Sequence, residues 1–192
     1  MNTIAKGAGI LLIGAIIGKF FSFLYRIILA RLGEQAYGEF SLGLALLGFL
    51  SVIAILGLDT GVLKFISVFR AEEKKEHIKG TILFSTKLIL TLSIILATFL
   101  FILSDYIALT FFGSERLGLL LKIFAFALPF EGLRAVFNPA LKAFKRIDYE
   151  VYGRIAGENF MKVFLTLIFI YFGLGIVGAA LAYALSIFIS FL

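Results

Sequence analysis

Five charged side chains lie inside stretches that are otherwise apolar enough to cross a bilayer. They are Lys19, Arg26, Glu131, Arg134 and Lys162. An ionised side chain near the bilayer centre costs about 2.5 to 3.5 kcal/mol on insertion scales, so several of them indicate an interior that is wet or internally paired. Such an interior indicates a pathway for something polar.

The first apolar stretch has one cationic helix face. Lys19, Ser22 and Arg26 fall within an arc of about 60° when each residue turns the helix by about 100°. Gly14 and Gly18 form a G-x-x-x-G pattern on a partly different face, where another helix can approach closely. Arg26 can also snorkel to the interface, since it lies about one turn from the outer end of the stretch, whereas Lys19 is nearer the centre.

A second polar group is expected near two prolines. Glu131 and Arg134 are three positions apart, so they can pair on one helical face and lower the cost of burying either charge. Pro129 and Pro139 bracket them, and prolines at membrane depth mark bent helices whose freed carbonyls face protein or water. The pair is either a structural ion pair that holds a kink or a group that couples to substrate or ion.

A third group follows in the fifth apolar stretch. Arg154, Glu158 and Lys162 are spaced four residues apart, so Glu158 can pair with either cation. Lys162 is deep enough in the stretch to be a pathway residue, although the ion pair with Glu158 would explain it equally well.

The stretch that ends the second apolar segment combines glycines with charge. Gly57 and Gly61 repeat the spacing of small residues that favours helix packing, and Asp59 offers an anion for a cation of the first segment. A helix break is possible there. Lys64 is either a weaker pathway residue or a lysine that snorkels from the cytoplasmic end.

Composition defines the class of protein. The 192 residues are 61% hydrophobic and 16% charged, with two prolines and 23 phenylalanines. Mean hydropathy is +1.08. A soluble domain of this size has too little interior for that much apolar surface, so we expect an all-α integral membrane protein.

The net charge of +6 comes from basic residues in short clusters between apolar stretches. This distribution favours binding to lipid head groups over binding to nucleic acid.

Several kinds of chemistry are excluded or disfavoured. The chain has no cysteine, which excludes disulfides and thiolate metal sites, and one histidine, His77, in a charged loop. Nucleophile elbows, phosphate-binding loops and carboxylate clusters with metal spacing do not occur in the sequence, and the loops are too short for a catalytic domain. We therefore expect no enzyme and no cofactor.

Six apolar segments follow from charge and glycine boundaries. They are residues 7–30, 40–68, 80–103, 117–141, 151–172 and 176–192. The run from Val163 to Leu192 carries no charge, and at 1.5 Å per residue it would measure about 45 Å, beyond a hydrocarbon core of about 30 Å. It must therefore turn, and Gly173–Gly175 is the expected hairpin.

Orientation follows from the distribution of Lys and Arg. The loops at 70–79 and 142–154 are rich in both, whereas those at 31–38 and 104–116 are poor, so we expect the N-terminus in the cytoplasm and a multi-pass protein of the cell membrane. The sequence stops within its sixth segment without a polar flank, which favours a fragment of a longer protein.

Glycine-rich strings at matching intervals carry a family resemblance. They are Ile4–Gly9, Leu29–Gly33 followed by Tyr37–Ser41, Gly57–Gly61, and Gly173–Ala180. In order and spacing the chain resembles oligosaccharide flippases, the Wzx-like polysaccharide exporters of the multidrug/oligosaccharidyl-lipid/polysaccharide superfamily. The likeness covers essentially the whole chain.

The resemblance implies a carrier that moves polyprenyl-(pyro)phosphate-linked oligosaccharide to the outer leaflet by alternating access. Such carriers have two six-helix lobes, and this chain looks like the first lobe, which would need a second lobe or a homodimer partner within the membrane lipids. Buried lysine and arginine side chains compensate the negative charge that a lipid pyrophosphate brings into the membrane. The expected substrate-binding residues are Lys19, Arg26, Lys64, Arg134 and Lys162. Asp59 and Glu131 would be coupling or structural acids.

Three alternatives remain. A cation-coupled extruder of drugs or organic cations would need a dominant carboxylate in its cavity, and here embedded cations outnumber acids. A non-transporting scaffold or an inactive half-transporter would use its charges only to pair helices. An integral membrane enzyme acting on lipid-linked sugars is the most distant possibility.

Overall fold

The computed structural model describes residues 2–146 and 153–191, with side chains at 12–146, 153 and 158–191. Every regular element in these ranges is helical, as the composition predicts. The elements are α1 (Asn2–Ala30), α2 (Glu34–Ile55), α3 (Leu58–Ala71), α4 (Lys75–Phe112), α5 (Glu115–Ala143), a π-helical segment (Gly153–Phe160), α6 (Met161–Tyr171) and α7 (Gly175–Phe191).

Within the described ranges, three helices are long and apolar enough to cross a membrane. They are Leu12–Ala30, Glu34–Ile55 and Lys75–Phe112. Helix α7 is apolar but shorter, at 17 residues. The expected class, an all-α membrane protein, is confirmed, whereas the number of six spans remains a prediction.

One predicted loop is wrong. The chain from 104 to 116 was expected to connect two segments, but α4 continues through it as far as Phe112 and is 38 residues long. The reason is local: no glycine or proline interrupts this part of α4 until Gly113, whose φ of 62° ends the helix. The true connection to α5 is two residues long.

The second predicted segment is broken in two. Leu56 and Gly57 both have left-handed backbones, with φ of 52° and 71°, and they separate α2 from α3. The break that the glycines suggested is therefore present. The close packing that their spacing suggested is not found among the described residues, because a Cβ added at Gly57 or Gly61 would meet none of their atoms within 4 Å.

The uncharged C-terminal run turns where its length requires. Helix α6 ends at Tyr171, Gly173 takes a φ of 81°, and α7 begins at Gly175. A Cβ at Gly178 would lie 2.6 Å from Cβ of Phe169, so the hairpin brings the two helices into close contact.

Helix α5 is the central element of the bundle. Its buried face contributes to three hydrophobic clusters, one shared with α1, α2, α6 and α7, one with α3 and α4, and one with α4, against which Leu46 and Leu50 of α2 also pack. The fully buried α5 residues Phe124, Val136 and Leu121 belong to the first, second and third cluster, respectively. A helix that is packed on several sides in this way is the fixed frame for its neighbours.

Polar contacts tie the two ends of the bundle. At one end Arg70 of α3 donates a 2.8 Å hydrogen bond from Nη1 to the Ala143 carbonyl, at the C-terminus of α5. At the other end Ser114 donates from Oγ to Oε1 of the buried Glu39, also at 2.8 Å. The C-terminal ends of α3 and α5 therefore lie at the same end of the bundle.

Candidate functional site

The site begins where α1 meets the π-helical segment. Gly18 is buried, and a Cβ there would lie 3.0 Å from Nδ2 of Asn159. The rings of Phe21 and Phe160 meet edge to face at 5.8 Å on the same contact. The close helix approach predicted for the G-x-x-x-G pattern is thus confirmed at Gly18, and the approaching element is the π-helical segment.

Beside this contact lies a cleft of about 280 Å³, which we call the Lys19 cleft. It is lined by Gly14, Ala15, Gly18, Lys19, Ser22, Glu158 and Asn159. Lys19 is exposed on the α1 wall, and Asn159 is buried on the opposite wall, where only 6% of its surface is accessible. The cleft therefore has one cationic wall and one wall that carries a carboxylate and an amide.

A second cleft of about 340 Å³, the Arg26 cleft, adjoins the first. It is lined by Ser22, Tyr25, Arg26, Leu29, Tyr37, Phe40, Ser41, Leu44, Lys162 and Tyr183. Ser22 lines both clefts, so the Lys19–Ser22–Arg26 face of α1 runs along the two without interruption. The face that helical periodicity groups together therefore lines both clefts, which we call together the groove.

Four charges at this groove form a connected group, the charged quartet of Glu131, Arg134, Glu158 and Lys162, of which Glu158 and Lys162 line the clefts. Arg134 donates from Nη2 to Oε2 of Glu158 at 2.8 Å. Its Nη1 lies 3.7 Å from Oε2 of Glu131, and Nζ of Lys162 lies 3.7 Å from Oε1 of Glu158. The pairs predicted for Glu131 with Arg134 and for Glu158 with Lys162 are confirmed, and two cations balance two carboxylates.

The strongest of these contacts could not be read from sequence spacing. Arg134 and Glu158 are 24 residues apart and join α5 to the π-helical segment. The side chain of Arg154, the other predicted partner of Glu158, lies outside the described residues. An i→i+5 turn is often found at functional sites, and here it carries both Glu158 and Asn159 to the groove.

Lys162 is enclosed by aromatic rings. Its Nζ lies 5.1 Å from the ring centroid of Tyr25 and 5.6 Å from that of Tyr183, and 6% of the residue is accessible. Cation–π attraction and the carboxylate of Glu158 together compensate its burial. The hydroxyl of Tyr25 donates to the Ala179 carbonyl at 3.1 Å, which connects α1 to α7.

Two predicted site residues lie elsewhere. Lys64 is exposed on α3, and Asp59 is partly exposed in the first turn of the same helix. Neither lines the Lys19 cleft or the Arg26 cleft. Among the described residues, Asp59 forms no ion pair with Lys19 or Arg26. An acid in a first turn stabilises the helix dipole, which accounts for Asp59.

Sequence reasoning missed Tyr25 and Tyr183 as site residues. A signal existed for Tyr25, which lies between Ser22 and Arg26 on the charged side of α1. It was weaker for Tyr183, a single phenol in the apolar α7. Glu39 was also missed as a buried acid, because its position at the start of the second segment resembles an exposed helix start.

Fold and groove together define an all-α membrane protein with a charged interior. The whole chain from residue 4 to residue 192 matches the family model described as polysaccharide biosynthesis protein. The chain belongs to that family, which confirms the resemblance given by its glycine-rich strings and supports a role in polysaccharide synthesis or export. No curated protein and no solved structure matches the chain.

Proposed function

We propose that this chain is part of a transporter that moves a polyprenyl-diphosphate-linked oligosaccharide across the cell membrane, with the groove beside α1 as the place where the anionic head group binds. Membership of the polysaccharide biosynthesis family supports a substrate that contains a saccharide. The groove supports binding of an anion, because its α1 wall carries the exposed cations Lys19 and Arg26, one in each cleft.

One observation carries the proposal. In the part of the chain that the structure describes, Lys19 and Arg26 form no ion pair, although each lines a cleft with polar groups opposite. The charged quartet is balanced internally, so these two side chains leave the groove with a surplus of positive charge. A lipid diphosphate carries negative charge on both phosphate groups, and lysine and arginine are the side chains that bind such groups most strongly.

Arg134 and Lys162 take a different part in this proposal. Their charges are already compensated by Glu131 and Glu158, so in this proposal they do not bind the first phosphate, and Arg134 lines neither cleft. Lys162 is nevertheless a lining residue of the Arg26 cleft, and it reaches a bound anion if its pair with Glu158 opens. Lys64 would have to act outside the groove.

The two alternative functions, a cation extruder and a scaffold, agree less well with the contacts in the groove. A cation extruder needs an unpaired carboxylate in its cavity, yet Glu158, the acid that lines the Lys19 cleft, contacts both Arg134 and Lys162. A scaffold would use its charges to hold helices together. The charged quartet does this, but Lys19 and Arg26 do not.

The topology proposed for the transporter places the N-terminus in the cytoplasm. The C-terminal ends of α3 and α5 lie at one end of the bundle, and the excess of Lys and Arg in the sequence that follows each helix supports a cytoplasmic position for that end. The second wall of the pathway would come from another lobe or from a second copy of this chain.

The test is to measure binding of a polyprenyl diphosphate to the native protein in lipid nanodiscs and to compare Lys19→Gln, Arg26→Gln and the double variant. Lys87→Gln is the matched control, because Lys87 is an exposed cation of α4 outside both clefts. We expect each groove variant to weaken binding about tenfold or more, and the control to leave it unchanged.

Export in cells completes the test. If Lys19→Gln and Arg26→Gln fold normally and abolish export of the surface polysaccharide, the groove is a transport site. If they instead prevent assembly of the protein in the membrane, and the native protein binds no polyprenyl diphosphate, the two cations serve the structure and the proposed function is wrong.

A further inference from the structure

The Arg26 cleft has an aromatic side as well as a cationic one. Four of its lining residues are aromatic, namely Tyr25, Tyr37, Phe40 and Tyr183. A cleft that existed only to hold phosphate would be lined by cations and backbone N–H groups. The rings therefore indicate that something other than phosphate occupies this part of the groove.

Part of the aromatic side is fixed in place by ring contacts. Phe40 meets Phe124 at 5.4 Å with the planes at 75°, and Phe124 meets Tyr183 at 5.8 Å and 89°. Tyr25 meets Phe40 at 6.0 Å and 67°. Edge-to-face contacts of this kind hold rings in one orientation, so the floor of the cleft is rigid.

The remaining groups are available to a ligand. Tyr37 is half-buried, and its ring has no ring partner among the described residues. The phenol groups of Tyr37 and Tyr183 form no hydrogen bond in the described part of the chain. Ser41 donates to the Tyr37 carbonyl at 2.8 Å, which leaves its oxygen free to accept.

A rigid aromatic floor, a free ring and spare hydroxyl groups beside a cation match the chemistry of a sugar. A pyranose ring has apolar C–H faces that pack on aromatic rings and a rim of hydroxyl groups that need hydrogen-bond partners. Resting on the proposed function, we infer that the Arg26 cleft is the subsite for the sugar ring next to the diphosphate. That sugar packs against Tyr37 and its hydroxyl groups bond to Tyr183 and Ser41.

The phosphate groups then lie along α1. Ser22 lines both clefts, so a diphosphate placed beside it is within the reach of Lys19 on one side and Arg26 on the other. This order assigns charge recognition to the α1 wall and sugar recognition to α2 and α7. The two kinds of recognition can therefore be separated by mutation.

The test compares two ligands in nanodiscs: a polyprenyl diphosphate and the same lipid with one hexose attached. The native protein should bind the hexose-bearing lipid about tenfold more tightly. Tyr37→Ala should remove this preference and leave binding of the bare diphosphate unchanged, which also shows that the variant is folded. Tyr37→Phe should keep most of the preference, since it keeps the ring, and Tyr183→Phe should lose part of it.

Tyr106→Ala is the matched control, because Tyr106 is 61% exposed on α4 and lines neither cleft. Equal affinity of the native protein for the two lipids would overturn the sugar subsite and leave the proposed function intact. If Tyr37→Ala weakened the binding of both lipids equally, the sugar subsite would also be overturned, because the ring would then serve the structure of the groove. Failure of the native protein to bind either lipid would overturn the proposed function and this inference with it.

Discussion

Arg134 and Glu158 form the shortest ion pair of the charged quartet, with 2.8 Å between Nη2 and Oε2, and both side chains are largely buried. The pair joins the central helix α5 to the π-helical segment that forms one wall of the Lys19 cleft. A charged contact between residues far apart in the chain therefore helps to hold that wall, together with the hydrogen bond from Ser190 Oγ to the Gly153 carbonyl and the ring contact of Phe21 with Phe160.

Removing either partner should destabilise the protein strongly. Glu158→Gln leaves two cations facing the single carboxylate of Glu131, and an uncompensated buried charge costs about 3 to 5 kcal/mol. The double variant Arg134→Gln/Glu158→Gln leaves Glu131 and Lys162, which balance each other. Unfolding in detergent should show the double variant to be less destabilised than the sum of the single variants.

Glu115→Gln is the control for this cycle, because Glu115 is an exposed acid in the first turn of α5. It should cost only a few tenths of a kcal/mol, about the value of a helix-dipole contact. Strict additivity of the two quartet variants would contradict the coupling of Arg134 with Glu158.

The quartet also shows how far sequence reasoning reaches. The i+3 and i+4 contacts within one helix were predictable, since helical spacing fixes which side chains meet. The contact between Arg134 and Glu158 was not, because it depends on how α5 packs against the π-helical segment. The same limit applies to Ser22, whose place on the cationic face was predictable but whose position between two clefts was not.

Some helix ends could be predicted from the sequence and others could not. The turn at Gly173 was predictable, because an uncharged run too long for the bilayer has to reverse at its glycines. The length of α4 was misjudged, since polar residues such as Ser104 and Asp105 suggested a loop. They are accommodated in the helix: Ser104 donates to the Phe101 carbonyl at 2.8 Å, and Asp105 pairs with Lys122 at 2.7 Å.

Glu39 should hold the other end of the bundle together. It is 6% exposed and accepts hydrogen bonds from Ser114 at 2.8 Å and from Nε2 of Gln35 at 3.1 Å. Glu39→Ala removes a charged acceptor from both donors and should lower stability by about 2 to 3 kcal/mol. Glu34→Ala, at an exposed acid in the first turn of α2, should cost a few tenths of a kcal/mol. Equal unfolding midpoints for the two variants would show that Glu39 makes no structural contribution.

Gly43 and Gly48 make a matched pair on α2. A Cβ at Gly43 would overlap the ring of Phe124, whereas one at Gly48 would meet no described atom within 4 Å. Gly43→Ala should therefore cost about 1 to 3 kcal/mol by overpacking. Gly48→Ala should be neutral or should stabilise the helix by up to about 1 kcal/mol.

Because Phe124 packs against Phe40 and Tyr183, which line the Arg26 cleft, Gly43→Ala should also weaken binding of a hexose-bearing lipid more than binding of the bare diphosphate. Thermal unfolding and the nanodisc assay measure the two effects. Unchanged stability of Gly43→Ala would show that the ring of Phe124 moves away freely.

The absence of cysteine makes topology directly measurable, since any introduced thiol is the single one in the chain. Lys75→Cys lies at the start of α4, and Tyr171→Cys lies at the end of α6, where the native side chain is 87% exposed. A membrane-impermeant thiol reagent should label position 171 in intact cells and position 75 only after the membrane is opened. The reverse pattern would invert the proposed orientation.

The central claim is that Lys19 and Arg26 line a space that contains water and receives an anionic head group. Single-cysteine variants at positions 19 and 26 should react with a charged thiol reagent, and a polyprenyl diphosphate should protect both. Ile17→Cys is the control, because position 17 is about 160° from Lys19 around α1 and faces lipid in this account. Fast labelling at 19 and 26, slow labelling at 17 and protection by the diphosphate are the expected results. Labelling at 19 and 26 that is as slow as at 17, or that the diphosphate leaves unchanged, would contradict the proposed site.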